Sequence, residues 1–318
     1  MKKDFFHTGL QVGRSQIADL SRTNYPGGVW YVSRNRGSGP KDGRSWDDAF
    51  LTITEAVTAV NLAYSTAAWP TRGRNTLILI DEGWYSETGI TLTASDCTIA
   101  AVSPGSSVSD GTVLYGSLTA GGWDAGALVP ALTITGSSNS ILGLGFMNSA
   151  SGLYPCVTVG TAGATGPSNN LFDGCFFPRD VQNAYTFAIN DLSNEGTVIK
   201  NSYFSQSCKT AAVSINTNGV VNPVNNIVEN CKFVGTEVGI YQGAGHNTLI
   251  KGNWFVDATD DRPNTVVNPL NIVATSAHAT GNFAPNNSLA EFDAGSATTS
   301  LLGNICSDSA AANWPDGG

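Results

Sequence analysis

Through the second half of the chain, short apolar–polar alternations end repeatedly in a turn-forming residue followed by a phenylalanine. Four can be set under one another: "NLFDGCFFPR" (170–179), "TVIKNSYFSQ" (197–206), "NIVENCKFVG" (226–235) and "TLIKGNWFVD" (248–257). Their closing residues Phe177, Phe204, Phe233 and Phe255 are 27, 29 and 22 residues apart. Looser copies lie at 140–148, 279–286 and 301–308. A repeat of about 20 to 30 residues is that of a solenoid, in which each unit buries its apolar face against its neighbours. Further β-patterned runs, "FAINDL" (187–192), "AVSINT" (212–217) and "VGIYQG" (238–243), fall between the copies. Two or three strands per repeat, with no helical period, predict an all-β fold wound as a parallel coil. The leucine skeleton of leucine-rich repeats and the roughly 40-residue unit of a propeller blade are both missing.

Each column of this alignment has a physical reading. Phe172, Ile199, Val228 and Ile250 are β-formers expected to point inward. Asp173, Lys200, Glu229 and Lys251 come next and are expected to point outward. Neighbouring strands lie about 4.8 Å apart, so this column becomes a ladder of alternating sign, each opposite-charge pair contributing roughly 0.2–1 kcal/mol. Gly174, Asn201, Asn230 and Gly252 are residue types that tolerate the left-handed backbone, and mark the bend. Small residues follow at an inward position: Cys175, Ser202, Cys231 and Asn253. The phenylalanines close the unit as an internal aromatic stack.

The flanks have a different pattern. "VWYVS" (29–33) reads as a strand. In "SWDDAFLTITEAVTAVNLA" (45–63), Ser45 and Asp48 have capping-box spacing with Asp in place of Glu. Ala49, Ile53, Ala56, Val57 and Val60 follow at helical spacing. This predicts an amphipathic helix plugging the open end of the coil. Alternating strands resume at 75–103, "GGWDAG" (121–126) is expected to project as a loop, and "SAAANWPDGG" (309–318) to drape over the last rung. The expected division is an arm over 1–28, strand and capping helix over 29–74, the β-helix over 75–307, and a tail over 308–318.

Composition narrows the function. A net charge of −9 argues against nucleic-acid binding, which needs a basic face. Only 13% of residues are charged, against roughly 25% in ordinary soluble domains, which suits a turn-rich β structure covered by hydroxyls and amides. No run approaches the roughly 20 apolar residues of a membrane span, and no apolar stretch follows Lys2 and Lys3 as in a secretory signal, so cytosolic synthesis is expected. The six cysteines (97, 156, 175, 208, 231 and 306) lack zinc-site spacing, and neither metal nor cofactor is expected. Cys175 and Cys231, two rungs apart at about 9.6 Å, lie beyond the roughly 7 Å reach of a disulfide.

The order "WYVSRNRGSGPKDGRSWDDAFLTITEAV", then "TLILIDEGWYSETGITL", then asparagine-rich rungs, resembles pectin-lyase-like right-handed parallel β-helix proteins, in particular the short β-helix proteins of phage virions. The resemblance covers about residues 29–307. It implies a right-handed coil; for activity it implies little, because this scaffold carries polysaccharide lyases, glycoside hydrolases, adhesins and inert virion parts.

For an enzyme, the resemblance implies carboxylates holding calcium beside a basic residue, or two acids across the scissile bond. The densest polar cluster is "DATDDRP", with Asp257, Asp260, Asp261 and Arg262, expected as a solvated loop and, failing that, as a catalytic or metal-binding group. Gly245-His246 precedes the aspartates and lacks a following glycine, against the order a polygalacturonase-like site requires. Asp191 and Glu195 form a second candidate pair, and His7, His246 and His278 are too scattered for a metal site. Trp84, Trp123 and Trp254 are candidates for stacking on sugars. In the arm, Lys2, Lys3, Phe5, Phe6 and Leu10 suit a segment that orders on a partner surface. The reading is a non-enzymatic structural component of a phage virion, held on a major capsid or tail protein through that arm. The expected assembly is a homo-oligomer, such as a trimer. The alternative is a polysaccharide-degrading or carbohydrate-binding β-helix that meets host surface glycans.

Overall fold

The structure, a computed structural model, describes residues 11–12, 15–16, 27–36, 41–66, 75–81, 83–87, 89–102, 117–120, 129–148, 154–177, 185–205, 208–236, 238–256, 268–273, 276–284 and 299–306. Among these, three parallel sheets of ten, nine and seven strands run along the coil, joined so that a complete turn of chain gives one strand to each. One such turn runs from Tyr185–Asp191 in the seven-stranded sheet to Val198–Lys200 in the ten-stranded sheet and Tyr203–Phe204 in the nine-stranded sheet. Apart from these sheets, Gln11–Val12 and Ser15–Gln16 pair antiparallel.

The register follows the sequence columns. Phe172 pairs with Ile199, Ile199 with Val228 and Val228 with Ile250, and all four are buried. The four bend positions are left-handed: φ is 64° at Gly174, 50° at Asn201, 53° at Asn230 and 65° at Gly252. One such residue suffices to swing the chain from the ten-stranded to the nine-stranded sheet. Inside the latter, Phe146, Phe177, Phe204, Phe233 and Phe255 form one stack, with successive centroids 5.4, 4.9, 4.9 and 4.8 Å apart. The last three pairs are within 9° of coplanar, so the rings lie face over face at the rung repeat.

Two corrections of detail apply. Asp173 does stand outward in the charge ladder, in register with Lys200, but its partners cover it and it is only 7% exposed. Asn201 Nδ2 donates to its Oδ1 at 2.8 Å, and Lys200 Nζ covers Oδ2 at 3.5 Å. The ladder closes as two ion pairs, Lys200–Asp173 and Lys251–Glu229, the second at 3.0 Å.

The second correction concerns the capping helix, which spans Ile53–Thr66 and does not start at Ser45. Ser45 Oγ does accept the Asp48 N–H at 3.1 Å, but only as a local turn. Phe50 is held extended beside the first strand, its N–H donating to Tyr31 O and its carbonyl accepting from Ser33 N–H, so no helix can include it. The working box is Thr52 and Glu55: Glu55 N–H donates to Thr52 Oγ1, and Thr52 N–H donates to Glu55 Oε2, both at 3.1 Å. Glu87, from the first coil, accepts the next two orphan amides, Ile53 N–H at 2.8 Å and Thr54 N–H at 2.7 Å. Ile53, Ala56, Val57 and Val60 are buried against the coil as the spacing implied. Asn61 fixes the helix laterally, donating to Thr91 O and accepting from Thr93 and Ala94 N–H.

Truncating the middle of the ring stack removes buried area and two ring contacts at once. Phe204→Ala is expected to lower unfolding free energy by about 3–5 kcal/mol, measured by denaturant titration, whereas Phe283→Ala on the outer face is expected to cost much less.

Candidate functional site

The strands point alternate side chains outward, so every sheet displays columns of residues one rung apart. On the seven-stranded sheet the outward column is Thr91, Thr133 and Thr158, then Asn190, Ser214, Tyr241 and Asn271. Every member is a hydroxyl, amide or phenol. Ser214 is fully buried in this column between Asn190 and Tyr241, and its Oγ has no hydrogen-bond partner.

The outward column of the nine-stranded sheet is chemically different. In register order it holds Gly145 and Phe176, then Tyr203, Lys232, Trp254, Phe283 and Ile305. Phe176 and Tyr203 stack at 5.1 Å, and Lys232 Nζ lies 5.9 Å from the Tyr203 ring centre. Trp254 is 55% exposed and tilts against Phe283 at 5.1 Å. Of the three tryptophans singled out in the sequence, Trp254 stands in this column, the backbone of Trp84 pairs with Ser117 in the same sheet, and Trp123 lies outside the described residues.

The other candidates separate. Asp257, Asp260, Asp261 and Arg262 lie outside the described residues, as do Lys2, Lys3, Phe5, Phe6 and Leu10 of the arm. Asp191 and Glu195 do not form a site: Glu195 is exposed on the turn, while Asp191 is fully buried and points into the coil. His246 is exposed in the turn before Thr248–Lys251, and His278 is exposed on the outer face of Ala277–Thr280. No group of three or more His, Cys, Asp or Glu that would hold a metal occurs among the described residues. Cys175 and Cys231 are free buried thiols, and burial pushes Cys175 well above the usual thiol range and Cys231 up to about 12.

Sequence reasoning missed two ladders of buried amides. At the bend entering the nine-stranded sheet, Asn253, Asn282 and Asn304 each accept the backbone N–H one rung below, from Cys231, Asn253 and Asn282, at 2.9–3.0 Å. Their Nδ2 groups donate to Val228, Ile250 and Ala279 carbonyls. The readable signal was the triplet Gly-Asn-apolar at 252–254, 281–283 and 303–305. At the opposite corner Asn139, Asn170 and Asn226 accept the N–H of Cys97, Asn139 and Thr197. Each follows a left-handed residue, Ser138, Asn169 or Asn225.

Asp191 has one distinctive property. Its Oδ1 accepts from Ser193 N–H at 3.1 Å and Thr197 Oγ1 at 3.2 Å, and its Oδ2 has no partner. The inward neighbours on either side are Val159 and Ile215. Burial away from bulk solvent raises its pKa to about 6, against the opposing hydrogen bonds from Ser193 and Thr197. A folded pKa above the unfolded value means that stability from this group is complete below about pH 4. That stability is lost as pH rises through about 6. Relative to the native protein, Asp191→Asn is expected to gain on the order of 3 kcal/mol between pH 4 and pH 7, read from denaturant unfolding at both values.

No protein-family model matches the sequence, and no curated protein sequence matches it significantly. Similar solved structures include pectate lyase Pel9A, with 13% identity, a TM-score of 0.54, and coverage of 88% of this chain and 76% of that one. Another is the deglycosylated pectin methylesterase from Aspergillus niger, with 13% identity, a TM-score of 0.52, and coverage of 90% and 88%. A third is ORF18 of Geobacillus virus E2, with 11% identity, a TM-score of 0.51, and coverage of 78% and 56%. At these identities the likeness is one of fold. The chain has the right-handed parallel β-helix architecture of these structures.

Proposed function

We propose that this protein is a non-enzymatic structural component of a phage virion, a capsid-decorating or tail-associated β-helix held on a capsid or tail protein through its N-terminal arm. The observation that carries this reading is the polarity of charge along the chain. Residues 1–74 contain ten Lys and Arg against six Asp and Glu, while residues 75–318 contain six against nineteen. A basic end on an acidic rod favours one orientation on an acidic surface and opposes side-on binding to it. Two further features agree. The outward column of the seven-stranded sheet offers hydroxyls and amides, which are poor proton donors or acceptors near neutral pH. ORF18 of Geobacillus virus E2, a protein of a virus, shares the fold. No helix is long and apolar enough to cross a membrane among the described residues.

A second reading, a carbohydrate-binding surface, is favoured by the half-exposed Trp254 indole beside Lys232 and Phe283. Host surface glycans would be its ligands, and self-association as a homo-oligomer is compatible with either reading.

Deleting residues 2–28 is expected to leave a folded body that no longer joins the particle; unchanged incorporation would overturn the arm's role. Incubation with capsular and pectic polymers is expected to yield no new reducing ends and no unsaturated sugars, and turnover of either kind would refute the non-enzymatic reading. Binding on a glycan array that is lost in Trp254→Ala, without turnover, would establish the second reading.

A further inference from the structure

The inward column at the end of the seven-stranded sheet runs Leu92, Ile134, Val159, Asp191, Ile215, Gln242 and Ile272. Only Asp191 and Gln242 are polar, and each leaves one buried acceptor unpartnered, Oδ2 of Asp191 and Oε1 of Gln242. Each of these has an unpartnered donor at the same corner. For Asp191 it is Nδ2 of Asn226. Both side chains are anchored on Thr197, whose Oγ1 contacts Asp191 Oδ1 at 3.2 Å and whose N–H donates to Asn226 Oδ1 at 2.9 Å. For Gln242 it is Oγ1 of Thr248, which occupies the corner position of Thr197 two rungs on. Gln242 Nε2 is already engaged with Gly245 O at 3.4 Å.

A buried acceptor and a buried donor facing the same corner, neither satisfied by protein, match the hydrogen-bonding capacity of water, which donates and accepts at once. We propose that this corner of the solenoid binds two internal water molecules, one between Asp191 Oδ2 and Asn226 Nδ2 and one between Gln242 Oε1 and Thr248 Oγ1. Each water accepts from the amide or hydroxyl and donates to the carboxyl or carboxamide oxygen. The rung between them places Ile215 inward, so the two sites are separate and do not form a continuous file. Polar groups confined to two non-adjacent rungs of an otherwise aliphatic column thus act as fixed hydration points.

An atomic-resolution crystal structure is expected to show a density peak within about 3.2 Å of both atoms at each site. Water magnetic relaxation dispersion on the full chain is expected to count one fewer long-lived water in Gln242→Ile, which puts in this rung the residue its neighbours carry. Thr248→Val, a milder change at the same site, should give the same loss. A direct side-chain bond across either pair in the crystal, or an unchanged count in both folded variants, would overturn the proposal.

Discussion

Parallel strands stacked in register about 4.8 Å apart bring each side chain against its own counterpart in the next turn of chain. That constraint governs nearly everything observed. Identical rings tolerate it well, because they stack, and the phenylalanine column runs through five rungs. Asparagines tolerate it because an amide can accept from the rung below and donate to a carbonyl. Like charges do not tolerate it, so Asp173, Lys200, Glu229 and Lys251 alternate in sign.

The same constraint shapes the surface. A column runs from rung to rung, so a binding face on this coil takes the form of a strip. The strip on the seven-stranded sheet is uncharged, and that on the nine-stranded sheet is aromatic from Phe176 to Phe283 with one lysine inserted at Lys232. Neither resembles a constellation of converging acids and bases.

Where a column departs from its own rule, the interior records it. Asp191 stands where its neighbours are Val159 and Ile215, and it is the buried carboxyl whose proton affinity rises. Desolvation causes the shift, since the local hydrogen bonds oppose it, so the acid's charge state is coupled to the integrity of the coil. The end cap departs as well: Glu87 of the first coil closes a helix terminus that the helix's own sequence leaves partly open.

The sequence alone determined the rung register, the ring stack, the left-handed bends and the presence of a capping helix. Each is a local preference repeated at a fixed spacing, and repetition makes a weak signal legible. It did not determine where the helix begins, because Ser45 and Thr52 both carry capping spacing and only pairing of Phe50 with Tyr31 and Ser33 excludes the first. Nor did it distinguish Asp191 from Glu195: four residues apart on a turn, both read as surface acids, and only the inward direction of Asp191 at the end of its strand buries one of them. Side-chain direction relative to the coil axis depends on winding, and winding is a property of the assembled rungs.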